Sequence, residues 1–170
     1  LTFALLLDVV RQVGAAERFL RAGQWTKARY PLTTRVSGKR LGILGLGQIG
    51  REVARRASGF SMQIAYTNRS PVDAVDYRCE PSLQALAEWC DFLVVCVSGS
   101  QQLVTAPVLD ALGPQGYLIN IARGSVIDEP ALIQALQDGR IAGAGLDVFI
   151  NEPKVPQALL AMDNVVLTPH

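Results

Sequence analysis

The chain has little histidine, few aromatic side chains and almost no net charge. Its 170 residues include one histidine, His170, 6% aromatic residues and a formal net charge of +1. Because no segment concentrates charge of one sign, nothing in the sequence indicates binding to nucleic acid or to an anionic membrane. Hydrophobic residues make up 49% of the chain. We therefore expect one domain with a substantial core and a small, nearly neutral partner.

Cysteine is also scarce. Cys79, Cys90 and Cys96 form no CxxC pair, and an odd number of thiols, one of them inside an apolar run, predicts reduced, buried cysteines rather than a disulfide framework. We expect no metal site and a reducing compartment, the cytoplasm.

Long hydrophobic runs are missing too. The apolar start LTFALLLDVV is interrupted by Asp8, far short of the ~20 apolar residues that a membrane-spanning helix needs. With the following RQVGAAERFLR it is predicted to form one amphipathic helix. Because the chain starts at Leu1 and not at methionine, we expect that the natural N-terminus lies upstream, so a missing targeting signal carries no information.

Two parts of the chain differ in their pattern. After the first helix, GQWTKARYPLTTRVSGK shows neither helical nor strand periodicity and is predicted to be a connecting arm, so that helix and arm occupy residues 1–38. From 39 to 170, short apolar runs of β type alternate with amphipathic helical stretches. This alternation predicts an α/β fold with a parallel sheet covered by helices on both faces. In such sheets ligands bind at the carboxyl ends of the strands.

The first predicted strand is followed by GLGQIG, which opens a helix. Gly45 permits a tight turn, Gly47 lets the backbone approach a pyrophosphate, and Gly50 lets the helix pack close to the strand. The helix N-terminus at Gln48 and Ile49 places partial positive charge beside the phosphates. The loop predicts dinucleotide binding, and the alternative is a tight turn without a ligand.

The second predicted strand ends in Asn68, Arg69 and Ser70, without the acidic residue that commonly binds the ribose of NAD ~20 residues after the glycines. A cation with small polar neighbours suits the extra phosphate of NADP. We therefore predict that NADP(H) is preferred and that NAD(H) is possible. The alternative is that Arg69 is one more solvated arginine on an exposed turn.

Three later strand ends carry side chains suited to acid–base chemistry. Arg123 follows one strand, Asp147 and then Glu152 follow the next, and His170 follows the last. Each alone has an ordinary explanation: an ion pair, a turn cap, a loop charge or a tail. Because parallel strands end at one edge, all four are expected to face the glycine loop.

Four long motifs, RLGILGLGQIGREVARRA, LINIARGSVIDEPALIQAL, GLDVFINEP and LTPH, resemble the D-isomer-specific 2-hydroxyacid dehydrogenases, and within them the glyoxylate/hydroxypyruvate reductase branch. The resemblance implies a Rossmann-type doubly wound sheet over 39–170, which binds the dinucleotide. It also implies that residues 1–38 are an interdomain and dimerisation arm, and that the substrate-binding domain is absent from this chain. A homodimer is expected from the resemblance and from the apolar first helix, which needs a cover.

The resemblance also implies roles for the strand-end residues. Arg123 binds the carboxylate and keto oxygen of a 2-oxo acid, and Asp147 holds the nicotinamide carboxamide. His170 gives a proton to the keto oxygen, a step that typically contributes ~10²–10⁴-fold. Glu152 orients the imidazole and stabilises its charged form.

Val97, at the end of the strand DFLVVCV, and Ile121, on the strand that leads to Arg123, are also predicted to contact the cofactor. The contacts of the sequence SGS at 98–100 stay open, because many relatives have a Pro-Leu-Thr type sequence there. The predicted function is reduction of glyoxylate or hydroxypyruvate with NADPH. Two alternatives stay open: an NAD-dependent enzyme for another 2-hydroxy acid, and a non-catalytic protein that senses nicotinamide cofactors.

Overall fold

The computed structural model describes residues 1–70, 72 and 75–170. Its centre is a seven-stranded sheet in the order β3-β2-β1-β4-β5-β6-β7, and every pair of neighbours is parallel. The strands are β1 Arg40–Leu44, β2 Gln63–Thr67, β3 Arg78–Cys79, β4 Phe92–Val95, β5 Tyr117–Asn120, β6 Gly143–Leu146 and β7 Val165–Leu167. The predicted parallel sheet is confirmed. The two-residue β3 was not predicted, because it is too short to show a period.

Helices cover both faces of the sheet, as predicted. They are α1 Thr2–Arg11, α2 Val13–Arg21, α3 Gln48–Ala57, α4 Leu83–Trp89, α5 Ala106–Leu112, α6 Glu129–Gln137 and α7 Gln157–Leu160. Ser82 and Asp128 begin α4 and α6 by accepting hydrogen bonds from backbone N–H groups three residues on, at 3.1 Å in each case. Such N-caps satisfy donors that the helix itself leaves without a partner.

The strand side chains alternate between two hydrophobic cores. In β4, Phe92 and Val94 pack with α1 and α3 on one face, whereas Leu93 and Val95 pack with α4, α5 and α6 on the other. All four are fully buried, which explains why these strands read as continuous apolar runs. The two cores hold the strands, and therefore their carboxyl ends, in a fixed arrangement.

The prediction of one helix at the N-terminus is wrong, because the segment forms two helices. Gln12 interrupts it with a left-handed backbone (φ 52°), and the Asp8 carboxylate accepts a hydrogen bond from the Gly14 N–H at 2.8 Å. A carboxylate bound to an N–H in the first turn favours a new helix start over continuation of the first helix. None of the helices in the described part of the chain combines the length and apolarity that a membrane crossing requires.

The apolar face of α1 is already buried against the sheet of its own chain. Leu5, Leu6, Val9 and Val10 are at most 4% exposed, and α1 packs on β5, β6 and β7. The division of the chain at residue 38 stays a prediction, but α1 belongs to the core of the sheet. The sequence argument that α1 needs a second copy of the chain to cover it is therefore wrong.

The expectation of buried thiols holds for two of the three cysteines. Cys90 is buried and Cys96 is partly buried, and burial raises the pKa of each thiol to about 12. Cys79 is exposed and lies on the short edge strand β3. All three thiols are free, so no disulfide contributes to the fold.

We expect Gly145→Ala to destabilise the fold by about 1–3 kcal/mol, the usual cost of an overpacked core. A Cβ at this position would lie 2.9 Å from the Leu5 Cβ and 3.0 Å from the Ile119 Cδ1. These distances are too short for carbon atoms, so the added methyl group would push α1 away from the sheet. The matched control is Gly59→Ala, because a Cβ there meets nothing within 4 Å. Urea unfolding measures both variants, and equal stabilities would contradict this packing.

Candidate cofactor and active site

A cavity of about 620 Å³ lies where the ends of β1, β2 and β4 meet. The strand order reverses between β1 and β4, which is the point at which open parallel sheets bind ligands. Among the described residues that line the cavity, none is acidic and Arg69 is the single cation. The lining is Leu44, Gly45, Gly47, Thr67, Asn68, Arg69, Ser70, Leu83, Cys96, Val97, Ser98, Gly99, Ser100, Gln101, Leu103 and Val126.

The glycine loop has the shape that was predicted for it. Gly45 has a left-handed φ of 96°, and a Cβ on Gly50 would lie 2.2 Å from the Gly45 carbonyl oxygen, so α3 packs tightly against the loop. A Cβ on Gly47 would meet nothing within 4 Å. Gly47 is the N-cap of α3, and in the described structure no side chain caps this helix. The N–H groups of the first turn can therefore bind an anion.

The end of β2 places its three polar residues on the cavity, but in two different roles. The Asn68 Oδ1 accepts a hydrogen bond from the Leu46 N–H at 3.1 Å, and its Nδ2 donates to the Ser70 carbonyl at 3.3 Å. The side-chain amide of Asn68 was predicted to contact a phosphate, but in the structure it binds the backbone of Leu46 in the glycine loop and of Ser70. Arg69 and Ser70 are exposed at the cavity.

The remaining residues of the predicted cofactor site differ in their relation to this cavity. Val97 lines it and packs on the loop, since a Cβ on Gly45 would lie 2.8 Å from the Val97 Cγ1. The SGS sequence at 98–100, whose contacts the sequence left open, also lines it. Gln48 and Ile49 are exposed on the first turn of α3, and Ile121 is half-buried at the end of β5; these three lie outside the cavity lining.

Arg123, Asp147, Glu152 and His170 follow β5, β6 and β7 at the same edge of the sheet, away from the cavity lining. The structure brings Glu152 and His170 together, with 2.8 Å between Glu152 Oε2 and His170 Nδ1. The other Glu152 oxygen accepts a hydrogen bond from the Phe149 N–H at 2.9 Å. Arg123 is exposed, and its Nη1 donates to the Ala122 carbonyl at 2.7 Å.

These contacts favour the ionised form of Glu152 and lower its pKa. The hydrogen bond with His170 is the main cause that lowers the pKa of Glu152, and the Phe149 N–H and the nearby Arg123 charge lower it further. A carboxylate on Nδ1 fixes the orientation of the imidazole and leaves Nε2 for a proton transfer. The pair is therefore suited to general acid–base chemistry.

Two polar residues beside this group were not predicted. Asn120 is buried, and its side chain donates to the Arg123 carbonyl and accepts from the Ala122 N–H, both at 3.0 Å. Thr168 donates from its Oγ1 to Asp147 Oδ1 at 2.6 Å. Asn120 could have been found from the sequence, because it is a single polar residue at the end of an apolar run. The contact of Thr168 could not, because its partner Asp147 lies 21 residues away in the chain.

A parallel sheet with a glycine loop at its switch point and an uncapped helix behind that loop defines a dinucleotide-binding domain. Residues 3–170 match the profile of the D-isomer specific 2-hydroxyacid dehydrogenase NAD-binding domain. The chain therefore belongs to the D-isomer specific 2-hydroxyacid dehydrogenase family.

Known relatives match nearly the whole of this chain. A 2-ketogluconate reductase of Gluconobacter oxydans is 47% identical over 98% of the chain and 55% of its own length, and a glyoxylate/hydroxypyruvate reductase of Arabidopsis thaliana is 46% identical over 98% and 53%. The crystal structure of an NADPH-dependent glyoxylate/hydroxypyruvate reductase from Sinorhizobium meliloti with NADP and malonate has a TM-score of 0.94 and 47% identity, covering 99% of this chain and 55% of that one. The chain spans about half the length of these relatives.

We expect His170→Ala to raise the pKa of Glu152, because the variant removes the hydrogen bond that lowers it most. The pKa of Glu152 is lower in the folded protein than in the unfolded chain. The hydrogen bond between Glu152 and His170 therefore stabilises the fold at pH values above the unfolded pKa, and this stabilisation is lost as the pH falls through the lowered pKa. A carboxyl-carbon NMR titration measures the shift. Lys154→Ala, on the same loop but not a cause of the shift, is the control. An unchanged Glu152 titration in His170→Ala would contradict the pairing.

Proposed function

We propose that this chain is the coenzyme-binding domain of an enzyme that reduces small 2-oxo acids, glyoxylate or hydroxypyruvate, to D-2-hydroxy acids with NADPH. The observation that carries the cofactor assignment is the cavity: the glycine loop and Arg69 line it, and its described lining contains no carboxylate. The relatives named as glyoxylate/hydroxypyruvate reductases support the choice of substrate.

The described residues fit a nicotinamide dinucleotide. The open space beside Gly47 and the uncapped N-terminus of α3 suit a pyrophosphate. Arg69 with Ser70 suits a ribose phosphate, because a guanidinium binds phosphate through charge-assisted hydrogen bonds. When bound, the cofactor supplies a hydride to the keto carbon.

The chain's own residues carry the rest of the proposed reaction. Arg123 binds the carboxylate and the keto oxygen of the 2-oxo acid, and Asp147 holds the carboxamide of the nicotinamide. His170 donates the proton from Nε2 to the keto oxygen, so that the product is the neutral alcohol group of a 2-hydroxy acid. Glu152 holds the ring at Nδ1 and compensates its positive charge.

A cytoplasmic location and a homodimer complete the proposal. The three free thiols support a reducing compartment. With α1 covered by its own sheet, support for the dimer comes from the resemblance and from four large apolar side chains within residues 13–38 that are more than half exposed: Val13, Leu20, Trp25 and Leu32.

Arg69→Ala in the full-length protein is expected to weaken NADPH binding by about tenfold or more, since hydrogen bonds to charged groups contribute about 1.5–3 kcal/mol. Binding of NADH, which lacks the extra phosphate, should change little. Calorimetry with both cofactors measures the difference. Arg29→Ala, an exposed arginine on the connecting arm, is the control, and an unaltered NADPH preference in Arg69→Ala would remove the assignment.

The activity is tested by turnover of glyoxylate and hydroxypyruvate with NADPH by the full-length protein, beside 2-ketogluconate and hydroxyphenylpyruvate, which relatives are named for. We expect glyoxylate or hydroxypyruvate to be the best substrate. We also expect His170→Gln to lower kcat by about 10²–10⁴-fold while NADPH still binds, because it removes the general acid. No turnover of either acid would contradict the proposed substrates, and a fully active His170→Gln would contradict the assigned acid.

A further inference from the structure

Two side-chain hydrogen bonds join the segment after β7 to the segment after β6. One is the pair between His170 and Glu152, which the proposed reaction uses. The other runs from the Thr168 hydroxyl to Asp147 Oδ1, and no step of that reaction accounts for it.

The Thr168 hydroxyl is not needed to hold β7 in place. The backbone N–H of Thr168 already donates to the Leu146 carbonyl at 3.0 Å, and this bond continues the pairing of β7 with β6. The hydroxyl makes a separate contact of 2.6 Å with a half-buried carboxylate. This is the length of a charge-assisted O–H···O⁻ hydrogen bond, roughly twice as strong as a neutral one.

Of the two carboxylate oxygens of Asp147, Oδ1 accepts the hydrogen bond from Thr168. Within the described part of the chain, Oδ2 has no hydrogen-bond partner and no cation lies within ion-pair distance of this carboxylate. A half-buried carboxylate with one oxygen fixed and the other without a partner can accept a hydrogen bond from a ligand N–H. The main-chain N–H of Asp147 donates to the Asn120 carbonyl at 3.0 Å, so the residue is held on its other side as well.

We propose that Thr168 is a positioning residue for the nicotinamide: its hydroxyl fixes Oδ1 of Asp147 and thereby keeps Oδ2 available to the carboxamide N–H. The assignment rests on the proposed function, because it requires that Asp147 meets the cofactor. An acceptor that is already oriented loses less conformational freedom when a ligand binds, which is why the hydroxyl contributes to affinity without contacting the cofactor. Thr168 lies two residues before His170, so the same short segment positions the cofactor's acceptor and carries the proposed acid.

The matched pair Thr168→Val and Thr168→Ser tests this role in the full-length protein. Valine keeps the branched shape and removes the hydroxyl, whereas serine keeps the hydroxyl and removes the methyl group. We expect Thr168→Val to weaken NADPH binding by about tenfold, and Thr168→Ser to stay within about twofold of the unsubstituted protein. Calorimetric titration with NADPH gives both affinities, and thermal unfolding shows whether both variants are folded at the titration temperature.

A double-mutant cycle separates positioning from a general structural effect. If Thr168 acts through Asp147, then Thr168→Val has no further effect on NADPH affinity when Asp147→Ala is already present. Additive losses would overturn the proposal, and so would equal losses in the valine and serine variants, which would assign the effect to a general disturbance at this position instead of to the hydroxyl. If the valine variant does not fold, Thr168→Ala removes the same hydroxyl and takes its place.

The outcome is distinguishable from failure of the proposed function. A protein that binds NADPH, with Thr168→Val binding it equally well, overturns the role of Thr168 and leaves the reductase proposal standing. A protein that binds no nicotinamide cofactor overturns the proposed function itself. Cofactor affinity is measured without turnover, so the identity of the 2-oxo acid does not affect the result.

Discussion

The parallel direction of all seven strands is the constraint on which the rest of the molecule depends. It brings the carboxyl end of every strand to one edge, so residues that are far apart in the chain become neighbours in space. The glycine loop follows β1 and His170 follows β7, yet both lie at that edge. Close helix packing holds this edge in place: a Cβ on Gly145 of β6 would collide with Leu5 of α1, and a Cβ on Gly50 of α3 would collide with the Gly45 carbonyl.

The edge is divided into two electrostatic regions. The ends of β1, β2 and β4 form a cavity with one cation and, in its described lining, no carboxylate, and an uncapped helix N-terminus stands beside it. The ends of β5, β6 and β7 carry Asp147, Glu152 and His170 together with the exposed Arg123. The first region favours phosphates and the second favours proton transfer. A dinucleotide that reaches from one to the other would place its reactive ring beside the acid–base pair.

Much of this could be predicted from the sequence, because five of the seven strands, β1, β2, β5, β6 and β7, are followed by residues with a recognisable chemistry. GLGQIG, Arg69 and the pair of Glu152 with His170 all lie where the strand pattern puts them. The break at Gln12 was missed because an apolar period continues across it, and the internal bonds of Asn68 were missed because the side chain can serve either the loop or a ligand. Thr168 acquires its role only through the register between β6 and β7, which no local pattern encodes.

The most direct test of the account is a calorimetric titration of the protein with NADPH and, separately, with NADH. We expect NADPH to bind clearly tighter, because Arg69 and a cavity whose described lining holds no carboxylate suit the additional phosphate. If neither cofactor binds, the assignment of this edge to a dinucleotide is contradicted. If NADH binds as well as NADPH, the fold and the glycine loop keep their interpretation, but Arg69 becomes a surface charge.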